Sequence, residues 1–205
     1  MTRNRVRFCI AAVLPVLLAG CAQSYLPFYA DQSKVKAPEL AGEWQVLKAL
    51  DDVSDKNVRP WVCREIGDAI YEVQTYDTNG VAATLKVVPF RVGGQLFCDV
   101  TAGDIGDKLA NNRYWLTSVT PVHTVWKLVL TNDIAVLTGL NVDEVKKASE
   151  SKVTPLPSTS RSSDERLYTA TPQQWEKFLA VCGTNANCFS GDPAYILKRR
   201  KAKAD

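Results

Sequence analysis

Residues 69–101, AIYEVQTYDTNGVAATLKVVPFRVGGQLFCDVT, hold the pattern that decides the fold. Along 69–76 the side chains alternate, with Ile70, Glu72 and Gln74 on one side and Tyr71, Val73 and Thr75 on the other. Successive side chains of a strand point to opposite faces, so this two-residue period predicts a strand with one buried wall. Asn79-Gly80 follows, and both positions tolerate the positive φ that a two-residue hairpin turn needs. Residues 81–90, rich in β-branched side chains, make the return strand. Gly93-Gly94 then permits a second tight reversal into 95–101. Consecutive strands joined by short turns form an antiparallel meander.

The pattern continues on both sides. Residues 44–50 read as an earlier strand, and 51–67, with Pro60, Trp61 and Cys63, as a polar irregular loop. Downstream, 102–112 form a glycine- and aspartate-rich loop, and strands resume at 113–119, 122–130 and 134–140. Residues 142–150 predict a short helix, acidic early and basic late as the helix dipole favours. A Ser/Thr/Pro-rich loop and a strand at 165–170 come next. Thr171 can cap a second helix, with Pro172 at its first position and Gln174 completing a capping box. Trp175, Phe178, Leu179 and Cys182 share one face of it, and Gly183 is expected to end it in the left-handed conformation. A last strand covers 194–198. Strands in such number must dispose of their edges, and closure removes them. The expected fold is mainly β: an antiparallel barrel of eight or nine strands with a C-terminal helix and a short extra helix. A β-sandwich is the alternative.

Leu40-Ala41-Gly42-Glu43-Trp44 resembles the Gly-x-Trp start of lipocalins. The later order is similar to that of bacterial lipocalin-like lipoproteins: a hairpin, Phe97-Cys98-Asp99-Val100, Pro121-Val122-His123, then a helix-strand-helix tail. The resemblance spans most of 40–200. It implies a lipocalin-like barrel with Trp44 closing one end, and carriage of a small ligand. The second lipocalin signature, an arginine packed on that tryptophan, is not evident in the sequence.

Arg3, Arg5 and Arg7 precede an apolar run over 9–18 and the small pair Ala19-Gly20. This is the pattern of a secretory signal peptide, too short to span a bilayer. Leu18-Ala19-Gly20-Cys21 resembles the lipobox of bacterial lipoproteins. That resemblance implies cleavage before Cys21, a diacylglyceryl group on its sulfur and an acyl chain such as palmitate on its amine. With Ala22 rather than Asp next, it implies attachment to the outer membrane, facing the periplasm. One acyl chain binds a membrane only marginally, and two or three hold firmly. The expected organisation is a signal peptide at 1–20, a lipidated tether at 21–38, a barrel domain at 39–198 and a basic tail at 199–205.

The chain has 25 Lys+Arg and 22 Asp+Glu, and removing the signal arginines balances the two. No net positive field remains for nucleic acid. Besides Cys21, the mature part holds Cys63, Cys98, Cys182 and Cys188. An oxidising compartment makes disulfides the default. The short flexible connector 183–187 points to Cys182–Cys188, and by elimination Cys63 pairs with Cys98. No CxxC is present and the chain has one histidine, so no metal site is expected.

Catalytic motifs are missing. There is no Gly-x-Ser-x-Gly, and Gly93-Gly94 is followed by Gln95-Leu96 instead of a P-loop lysine. His123 opens a predicted strand and reads as a hydrogen-bonded wall residue, since no nucleophile accompanies it. Asp99 shares its side with Phe97 and Thr101, opposite Leu96, Cys98 and Val100. Pointing outward it would be solvated; pointing inward it would need a donor. Asp104 and Asp107 lack the later glutamate of an EF-hand, and turn chemistry accounts for them. Trp44, Tyr71, Trp115 and Trp126 are the candidate ligand-binding residues, able to line a pocket for an apolar molecule or simply to fill the barrel. The function expected is a non-enzymatic, membrane-anchored envelope lipoprotein binding a small apolar ligand or acyl chain, without cofactor. The alternative is an interaction module with a filled core that contacts an envelope protein or cell wall through loops 51–67 and 102–112.

Overall fold

The computed structural model describes residues 22–47, 59–76, 82–103, 122–150, 155–160, 166–189 and 193–200. Its strands are β1 (Gln23–Ser24), β2 (Gly42–Leu47), β3 (Trp61–Gly67), β4 (Ile70–Tyr76), β5 (Ala82–Val92), β6 (Gln95–Ala102), β7 (His123–Leu130), β8 (Ile134–Gly139), β9 (Ser158–Ser160), β10 (Arg166–Tyr168) and β11 (Tyr195–Arg199). The helices are α1 (Val142–Ser149) and α2 (Pro172–Cys182). Eight strands form an antiparallel ring in the order β2-β3-β4-β5-β6-β7-β8-β11, with β11 returning to β2. The pairing of β6 with β7, from Phe97↔Lys127 to Val100↔Thr124, closes it. The fold is therefore the barrel, and the sandwich alternative is excluded. Stepping across the eight registers from Trp44 returns to β2 displaced by twelve residues. Stagger, tilt and width are linked, and this offset exceeds the eight of a (β/α)8 barrel, so the ring is more tilted and wider.

Most elements fall where the sequence places them, and four expectations change. Residues 61–67, read as loop, form β3. Only 61–63 of it pair with β2, while 64–67 run past that strand's end beside β4, exposed, so charged Arg64 and Glu65 replace the alternation that marks a strand. Gly183 takes a right-handed conformation, φ −61°, and is needed for space: a Cβ would stand 2.8 Å from the Leu179 carbonyl and 2.9 Å from the Phe97 ring. The expected tether over 22–38 packs on the barrel instead. The expected basic tail begins too early: Arg199 ends β11, and Arg200 donates its N–H to the Glu43 carbonyl at 2.9 Å. The Asn79-Gly80 turn and the strand expected at 113–119 lie outside the described residues. The N-terminal cap of α2 forms as expected, with Thr171 and Gln174 in a reciprocal capping box. Asn141 caps α1 by accepting from the Asp143 N–H at 3.0 Å.

Two cores lie back to back across the wall β5-β6-β7. Inside the ring, Trp44, Cys63, Tyr71, Val87, Cys98, Leu128, Ala135 and Leu197 form one cluster. Outside it, Phe90, Phe97 and Val125 meet Trp175, Phe178 and Leu179 of α2 together with Ala22 and Phe28 of the N-terminal segment. A wall buried on both faces explains the nearly continuous apolar character of that stretch of sequence.

The N-terminal segment is a strap. β1 pairs with β7 beyond the end of β8, at Gln23↔Thr124 and Ser24↔His123, and carries β10 and β9 as a small outer sheet. The chain then crosses β6 and β5, bridging Lys34 to Phe90 and donating from Val35 N–H to the Pro89 carbonyl at 3.0 Å. It reaches the barrel end where β2 begins. There Trp44, 2% exposed, donates its indole N–H to the Leu40 carbonyl at 2.8 Å. The Arg199 guanidinium lies 4.4 Å from the Trp44 ring centre and donates to the carbonyls of Ala41, Asn132 and Glu39. An arginine on the Gly-x-Trp tryptophan, not evident in sequence, is thus supplied by the last strand. Gly42 holds φ +137°, and a Cβ there would lie 2.6 Å from the Arg199 Nη1, so the position requires glycine.

Candidate functional site

The barrel has two unlike ends. Trp44, Arg199 and the turn at 38–40 plug one. Tyr71 belongs to that end; fully buried, it accepts from the Ala37 N–H at 3.0 Å. Burial raises its phenol pKa, which the Ala37 hydrogen bond lowers in part. A pocket of about 190 Å³ opens beside the plug, lined in part by Lys36, Glu39, Arg91 and Asn132. It is small against the roughly 300–1,000 Å³ of small-molecule sites, and its charged rim does not suit an apolar ligand.

Towards the other end the interior is aromatic. Trp61 and Tyr195 are half-buried with ring centres 4.8 Å apart, and Trp126 stands 5.8 Å from Tyr195. Trp126 donates its indole N–H to Thr124 Oγ1 at 3.3 Å, and that hydroxyl donates to the Val100 carbonyl at 3.2 Å. The polar tip of Trp126 is therefore held and its ring faces stay apolar. Of the four expected ligand residues, Trp126 is in this cluster, Trp44 and Tyr71 are at the plugged end, and Trp115 lies outside the described residues. Trp61 and Tyr195 stand outside those four: Trp61 falls in a stretch expected as loop, and Tyr195 opens a short strand. The alternation through Trp61 and Cys63 was the available signal.

Cys63 and Cys98 are free buried thiols, which corrects the expected pairing. They sit on β3 and β6, three strands apart around the ring, whereas a disulfide needs Cα atoms within about 7 Å. Burial pushes the Cys63 thiol pKa up to about 12, against a small opposing pull from Arg199, and raises that of Cys98 as well. Cys182 and Cys188 are bonded as expected, with Cα atoms 5.5 Å apart.

Outside the ring, the strap covers a polar seam. Asp99 is 1% exposed although it points outward, because Phe28 lies over it. Its Oδ2 accepts the Phe28 N–H at 2.9 Å, and its Oδ1 meets His123 Nδ1 at 2.7 Å. The strap makes the outward face of β6 interior, so Asp99 points outward and yet is buried and hydrogen-bonded. Glu176 of α2 acts similarly, accepting from the Ala30 N–H at 2.8 Å and from the Ser33 hydroxyl. Burial first, then the Asp99 and Asp31 charges, raise the Tyr29 phenol to about 12. Ser24 faces His123 in register, which gives a serine, a histidine and an aspartate in one seam. The serine hydroxyl is fully buried and accepts from Trp175 Nε1 at 3.0 Å and the Leu26 N–H at 3.3 Å. A nucleophile needs a free lone pair and an approach for substrate, and this hydroxyl has neither; the seam is a clamp on the strap. Among the described residues no three His, Cys, Asp or Glu side chains gather as a metal site. Comparison with protein-family models, with curated proteins and with solved structures finds no match.

Proposed function

We propose that this chain is a lipid-anchored envelope protein, attached through Cys21, that carries a small apolar molecule or acyl chain in its barrel. The observation that carries this reading is the asymmetry of the ring: a sealed end at Trp44 and Arg199, and an aromatic cluster towards the other, with Trp61 and Tyr195 half-buried and Trp126 buried beside them. The wide stagger and the apolar interior, with its neutral thiols, support it. Ligand enters at the aromatic end and lies along Trp126 and Tyr195; the protein performs no chemistry on it.

Native mass spectrometry of the purified chain incubated with envelope lipid extract tests this. A discrete adduct is expected, lost in Trp61→Asp, which sets a charge against the apolar mouth, and kept in Val181→Asp on the exposed face of α2. No adduct from any extract, or one indifferent to Trp61→Asp, overturns the reading.

A further inference from the structure

The anchor and the domain are joined without slack. Ala22, which follows Cys21 directly, is 2% exposed in the outer core. Gln23 and Ser24 are hydrogen-bonded into the sheet, and Ser24 also holds the Trp175 indole. Consecutive Cα atoms are about 3.8 Å apart, so a chain fixed to this wall from Ala22 onward contributes no flexible spacer of its own. A flexible tether of about 17 residues would instead allow an r.m.s. reach of roughly 20 Å or more. Beside the anchor, Tyr25 is 54% exposed, its N–H fixed to the Tyr168 carbonyl at 2.9 Å. An exposed tyrosine at the foot of an acyl anchor suits the headgroup layer, where its ring is apolar and its hydroxyl wet.

Resting on the proposed acylation of Cys21, we infer that the β1 side of the barrel, with Tyr25, docks flush against the lipid surface, so that the protein is held in one orientation. Ile66 serves as the far marker: it is 58% exposed on β3, four strands from β7 around the eight-stranded ring.

The test uses the full chain, purified in its lipidated form and reconstituted into phosphatidylethanolamine/phosphatidylglycerol vesicles containing doxyl-labelled lipid. Tyr25→Cys and Ile66→Cys are labelled separately with a fluorophore, Cys63 and Cys98 being buried. Quenching at position 25 is expected to exceed that at position 66 several-fold. A Gly/Ser spacer of about ten residues, inserted between Cys21 and Ala22, should abolish the difference. Equal quenching without the spacer, on a chain whose intact mass shows an acylated Cys21, overturns the docking and leaves the anchor standing. A mass without lipid overturns both.

Discussion

At Gly42 two constraints meet. Its φ of +137° lies where side chains are rarely found, and a Cβ would stand 2.6 Å from the Arg199 guanidinium. Gly42→Ala should therefore cost about 2 kcal/mol, read as a lower urea midpoint. Arg199→Lys keeps the charge but loses the planar fork that reaches three carbonyls and stacks on Trp44. A loss of about 1–2 kcal/mol is expected. The double variant should cost less than the sum, because a lysine vacates the space that the alanine needs; strict additivity would show that the two residues do not touch. Asp99 tests the seam in the same way. Asp99→Ala strips the acceptor from a buried Phe28 N–H and from His123, at about 1–3 kcal/mol. Amide exchange at Phe28 should speed up more than exchange in β7, since the strap loosens before the ring opens; uniform acceleration would mean that the strap is not separately held.

At the level of elements, the disulfide ties the end of α2 to the chain next to α1: Cys182 is bonded to Cys188, whose carbonyl accepts the Asn141 N–H at 2.8 Å. With six residues of separation the loop is short, and the Cys182→Ser/Cys188→Ser variant should lose only about 2 kcal/mol by denaturant titration. The meander and both helices were legible because alternation, turn residues and caps are local signals, strongest in β4, β5, β6 and α2. β3 was not, because its last four residues project past β2 and carry exposed charge. The strap was not, because prolines and scattered aromatics look the same in a free linker and in a segment whose backbone N–H groups are taken up by distant carboxylates. Asp99, His123 and Glu176 could be found as residues, but their joint role depends on that strap, and nothing local announces a partner more than 140 positions away, as for Ala30 and Glu176. The arginine on Trp44 was hidden for the same reason, since it lies at the other end of the chain.

For the molecule as a whole, a carrier of apolar cargo needs a dry interior, and the buried acids give that dryness a measurable signature. Burial lifts the Cys63 thiol to about 12, and the Cys98 and Tyr71 groups in the same core shift in the same direction. Each is neutral in the fold. Once the pH passes the ordinary thiol value near 9, the unfolded chain releases a proton that the folded chain keeps. The stability these groups contribute is therefore complete below that value and is lost as pH rises towards 12. Each proton so withheld adds a slope of about 1.4 kcal/mol per pH unit. Urea midpoints should accordingly fall from about pH 9 to pH 11, and Cys63→Ala, which removes one such proton, should flatten that limb relative to its own value at pH 7. A wild-type midpoint that stays level over this range would place water around the thiols, and a wet barrel would leave the aromatics near Tyr195 nothing apolar to lead into.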